Sequence, residues 1–186
     1  KYLHSSADAE LPAFGRVLKM PADTRIVQQF ALEHDDSALV IYFQGLDDSV
    51  HNEAMMELLG AVIATPFYES LRTEQQLGYI VNAGSFPLLN TSGLIMYIGS
   101  PAIDALNLEL SIDRFLAAFQ DELAAMSAAQ FQDIRQGLLN SLQEPLTRLS
   151  ALSNRYWNDI VQGEYNMDSK LKLAAEIASI TQQELQ

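Results

Sequence analysis

Apolar positions alternate with polar ones early in this chain and recur at helical spacing later. From Thr24, RIVQQFALEH alternates, with Ile26, Phe30 and Leu32 sharing one face, which predicts a half-buried strand. ALVIYFQG, starting at Ala38, is β-branched and aromatic, the composition of a buried strand. His34, Asp35 and Asp36 form a polar turn between them, so the two strands are expected to pair antiparallel. Residues 79–86 and 94–99 read as two more strands, joined by a turn over 90–93.

Between these strand pairs, Asp48 or Ser49 offers an N-cap for a long helix through MMELLGAVIATPFY. Pro66 has no amide hydrogen, which predicts a kink or a break there, with a second short helix over 69–77. Gly78 is the expected left-handed stop, because it has no β-carbon to clash.

The second half is helical. Leu108, Ile112, Phe115, Leu116, Phe119, Leu123 and Met126 share one face, while Glu109, Asp113, Asp121 and Glu122 fall on the other. Ser127 and Gln130 make a capping box for a helix that turns Phe131, Ile134, Leu138 and Leu142 inward. Beyond Pro145, a stripe of Leu149, Leu152, Tyr156, Trp157 and Ile160 predicts a third helix; the turn GEYNMD and a helix opened by Asp168 follow. Strands first and helices after predict an α+β domain, with helices packed on one face of a mostly antiparallel sheet.

Residues 1–23 carry Pro12 and Pro21 and little periodicity, and read as a lead-in with one apolar turn around Phe14 to Leu18. The domain itself is expected over 24–186. The start, KYLHSSADAE, shows no signal sequence and no initiator methionine, and the capping box of Thr181 and Glu184 comes just before the last residue, Gln186. Both ends are those expected of a piece of a longer chain.

Composition narrows the function. Eleven basic residues against twenty-four acidic give a net charge of −13, a field that repels phosphate backbones, and no local basic patch offsets it. Nucleic acid is therefore not an expected partner. The acidity reads as solubility or as an attraction for cationic peptides. No apolar run approaches the ~20 residues of a membrane-spanning helix. Without cysteine there is neither a disulfide framework nor a thiolate metal site.

The three histidines, His4, His34 and His51, are too far apart in sequence for any two to share a helix face. HNEAM at 51–55 has one histidine and one glutamate, but a methionine stands where an H-x-x-E-H zinc motif needs its second ligand. His51 reads as a polar residue near a helix start. No metal site and no cofactor site is expected within this chain. Nucleophile elbows and glycine-rich phosphate loops are absent as well.

What remains is ESLRTEQQLGYIV, residues 69–81. Arg72 is expected near the end of a short helix and Tyr79 at the start of a strand, on either side of a bend. A guanidinium and a phenol are both hydrogen-bond donors, and donors aimed at one spot suit a peptide carbonyl or a developing oxyanion. The plainer reading pairs Arg72 with Glu69 or Glu74 on the surface and half-buries Tyr79. Spacing alone leaves both readings open.

The same stretch resembles a motif in the C-terminal half of the pitrilysin and insulin-degrading-enzyme (insulinase-like) family of zinc metallopeptidases. The likeness extends through PFYESLRT, the strand after GYIV and the tail LQEPLTRLSALSNRYWNDIVQGEYNMD, and covers about residues 24–186. It implies a metallopeptidase-like α+β domain without zinc, from an enzyme that degrades peptides in an enclosed chamber. Zinc in the full-length enzyme would be bound by the N-terminal half of the same chain, which becomes a partner beside the peptide substrates. By this resemblance Arg72 and Tyr79 would bind the substrate backbone and stabilise the tetrahedral intermediate. This piece would be inactive alone, and a bacterial protein of this kind would be periplasmic. The alternative is a catalytically inactive relative that binds peptide or serves as a scaffold.

Overall fold

A computed structural model describes residues 16–31, 33–161, 165 and 167–186. Its sheet has three strands, β1 (Ser37–Gln44), β2 (Ile80–Ser85) and β3 (Gly93–Ser100), all antiparallel in the order β1-β3-β2. In the central strand Leu94, Met96 and Ile98 are buried and alternate with half-buried Ile95 and Tyr97, so one face of the sheet is the core side. Opposite them in register stand Leu39 and Ile41 of β1 and Val81 and Ala83 of β2.

α1 (Val50–Tyr68) lies on that face, capped by Ser49, whose side chain accepts from the Asn52 amide. It buries Ala54, Leu58, Val62, Ile63 and Phe67. Gly60 lets the helix press onto β2: a β-carbon there would stand 2.5 Å from the Ser85 nitrogen. α2 (Ala105–Ala125) adds Leu108, Ile112, Phe115 and Phe119, and the Phe115 ring meets Phe67 edge-on at 5.2 Å. Each such side chain contributes about 1.5–3 kcal/mol by leaving water. α3 (Ala128–Gln143) opens on the Ser127–Gln130 capping box and buries Phe131. It packs with α5 (Ser169–Ser179), which brings Leu173 and Ile177 to the core and also lies against α1. α6 (Gln182–Leu185) starts on the second box, Thr181 with Glu184. The α+β architecture is as the sequence predicts.

Three expectations need correction. RIVQQFALEH forms no strand among its described residues: Arg25 to Ala31 run without regular structure, and Ile26, Val27 and Phe30 face solvent. Alternation defines a face only where a second layer covers it. This segment is instead held by an Arg25–Glu109 ion pair, and the chain just before it by a 2.7 Å bond from the Met20 amide to the Gln44 side chain. β1 therefore pairs with β3 and not with its predecessor. Leu32 and the early part of the apolar turn at 14–18 lie outside the described residues, as does half of the GEYNMD turn.

Second, Pro66 does not break α1, which runs on to Tyr68 and widens into a π-helical segment, Glu69–Glu74. Third, the left-handed residue that ends this segment is Gln76, at φ 53°, and not Gly78. α4 (Leu149–Val161) forms where expected; Leu149 is 82% and Trp157 63% exposed, and the residue it buries is Asp159.

Candidate functional site

The corner after α1 is shaped by that π-helical segment. The Gln75 amide donates to Ser70 and the Leu77 amide to Leu71, both at 3.0 Å, which are wider loops than an α-turn. Such widenings recur at functional sites because they re-aim side chains without ending the helix. Here Leu71 turns fully into the core and Arg72 is left half-buried beside it. Arg72 has no hydrogen-bond or ion-pair partner among the described residues, so neither Glu69 nor Glu74 claims it.

Gly78 then brings the chain against β3. A β-carbon on it would meet the Gly99 carbonyl oxygen at 2.2 Å, so only glycine fits. The close approach lets the Tyr79 amide donate to that same oxygen at 2.9 Å. With its backbone fixed there, the Tyr79 ring lies across Gly99, its Cζ 3.6 Å from where a β-carbon would stand. The glycine in the central strand leaves room for the ring to cross from the β2 side to the β1 side. There the phenol donates to Asp36 Oδ2 at 3.1 Å. Tyr79 remains 55% exposed. The hydrogen bond to Asp36, and then the charge of that carboxylate, push the phenol above the ordinary tyrosine range, which keeps it a donor at neutral pH.

The two residues singled out in the sequence thus flank one bend, Arg72 half-buried and Tyr79 exposed. Tyr79's hydrogen-bond partner is Asp36, not Arg72. Asp36 was read only as part of a polar turn; no local pattern marks it, since its place depends on β1 and β2 flanking β3. Beside the corner is an open groove of about 530 Å³ lined by Ala64, Thr65, Tyr68, Glu69, Thr73, Glu74 and Asn82.

A zinc ion does not fit these residues. Among the described residues no three of His, Cys, Asp or Glu gather to hold a metal. His51 is engaged by Glu176 Oε1 at 2.8 Å, His34 is exposed in the turn before β1, and His4 lies outside the described residues. No helix of the described residues is long and apolar enough to cross a membrane.

Comparison with known proteins completes the picture. Residues 58–157 match the family described as PQQ synthase PqqF-like, C-terminal lobe domain 4. The chain is 29% identical to insulin-degrading enzyme of Homo sapiens over 86% of its own length and 16% of that protein's. It is 27% identical to nardilysin of Rattus norvegicus over 93% of itself and 15% of the relative. The crystal structure of pitrilysin superposes with a TM-score of 0.75 at 27% identity, over 82% of this chain and 16% of that one. The chain therefore spans about a sixth of the length of the relatives it matches. A periplasmic location finds no support among them, since several come from organisms that have no periplasm. The matched span, the identities and the shared fold together assign this chain to the insulinase-like family of zinc metallopeptidases, as domain 4 of a PqqF-like C-terminal lobe.

Proposed function

We propose that residues 24–186 are the C-terminal substrate-binding domain of a zinc-dependent endopeptidase, with 1–23 a lead-in from the preceding region. In this reading Arg72 and Tyr79 bind the backbone of an enclosed peptide and stabilise the tetrahedral intermediate. The observation that carries it is the Gly78–Gly99 contact, which holds an exposed phenol at a fixed corner of the sheet, a few residues from an arginine without a partner among the described residues. The Arg72 guanidinium offers five N–H donors in a rigid fork, suited to a carbonyl oxygen gaining negative charge. Tyr79 offers one further donor. A donor that meets an oxyanion gains strength as charge develops, so it acts on the transition state more than on bound substrate; for Tyr79 this follows a rotation of its O–H away from Asp36.

Zinc and the general base would be supplied by the N-terminal half of the polypeptide, and this domain's share is confined to binding and hydrogen-bond donation. The isolated domain is accordingly expected to be inactive. In the complete polypeptide, Tyr79→Phe and Arg72→Ala should each lower turnover of a peptide by about 100-fold or more while zinc content stays the same. Unchanged turnover in both variants would refute the assigned roles and favour a peptide-binding relative without catalysis.

A further inference from the structure

We infer that Asp36 is the positioning residue of Tyr79: from the far side of the central strand it holds the phenol across Gly99, and so sets where the hydroxyl meets the substrate. The inference rests on the functional reading above and extends it to a residue outside the arginine–tyrosine motif. Three features support it. Asp36 immediately precedes β1, whose first residue, Ser37, is in register with Ser100, so its carboxylate stands at the same sheet end as Tyr79. The two residues belong to segments separated by β3, and the Tyr79 ring spans that strand over Gly99, its Cζ 3.6 Å from where a β-carbon would stand. Asp36 is half-buried, while its turn neighbours His34 and Asp35 are exposed, so the acidic turn directs one particular carboxylate inward.

The contact has a chemical consequence. A phenol has a single proton, and here it is donated to Asp36, so what the oxygen has left to offer is its capacity to accept. A peptide N–H can then be accepted without rearrangement. Donation to an oxyanion needs only a rotation of the O–H about a ring already in place.

The test uses the complete polypeptide with 3-fluorotyrosine at position 79, read by fluorine NMR, alongside kinetics of the unlabelled variants. Asp36→Ala should lower the titration midpoint of residue 79 toward that of an ordinary tyrosine and reduce kcat by about tenfold. In a Tyr79→Phe background the same substitution should change kcat no further. A midpoint that does not move, or an equal loss of kcat in that Tyr79→Phe background, overturns the inference while leaving the role of Tyr79 standing. Intact turnover in Tyr79→Phe, with the midpoint still falling, removes the functional reading and with it the task assigned to Asp36. The titration thus tells the two failures apart.

Discussion

α2 and α4 are written in nearly the same hydrophobic code and end in opposite environments. The α2 stripe of Leu108, Ile112, Phe115 and Phe119 is buried, and Phe115 stacks on Phe119 at 5.6 Å and meets Phe67 edge-on. The α4 stripe leaves Leu149 and Trp157 in solvent and half-exposes Tyr156 and Ile160. Periodicity therefore declares that a helix has an apolar face; whether that face is filled depends on what the rest of the molecule places against it.

Core truncation gives the widest separation between the two helices. Phe115→Ala should cost about 3–5 kcal/mol in urea unfolding, through lost transfer energy and the cavity it leaves. Trp157→Ala should cost less than about 0.5 kcal/mol, as an exposed substitution away from packing. A cost above about 2 kcal/mol for Trp157 would mean that the α4 stripe is covered, and the contrast would fail. Gly78→Ala should rank next, at about 1–3 kcal/mol, because its β-carbon collides with main chain that cannot step aside. Ser127→Ala removes the α3 capping box and should cost about 1 kcal/mol by the same measurement.

The smallest effect concerns the α2 N-terminus. There Asp104 accepts from the Asn107 amide and side chain, and these bonds hold its carboxyl below the ordinary 3.8. A carboxyl whose folded value is depressed contributes stability above its unfolded value and loses it as pH falls through the folded one. Asp104→Asn should accordingly lower the urea midpoint slightly at pH 7, and the gap to the parent should close as pH falls below about 3.8, because the parent loses the same contribution there.

Where the code was local, the sequence could be read in advance. Both capping boxes, the Ser49 cap and the buried face of α2 follow from side chains within four residues of one another. Arg72 and Tyr79 stand out because the residue types and the glycine between them lie in one short segment. Three features were not local. RIVQQFALEH has a strand's alternation but forms no strand among its described residues, where Ile26, Val27 and Phe30 face solvent with no layer over them. The π-helical widening after Pro66 follows from tertiary packing that pulls Leu71 into the core, and no residue pattern announces it. Asp36 reaches Tyr79 only because two segments 43 residues apart flank one central strand.

The central claim is that this corner favours the transition state over the bound peptide. The most direct measurement compares a tetrahedral phosphinic peptide with the matching uncleavable substrate analogue, each titrated against the complete polypeptide and its Tyr79→Phe variant. The account predicts that the variant loses about 100-fold in affinity for the phosphinic peptide and less than about threefold for the analogue. Equal losses for both ligands would show uniform binding and contradict it.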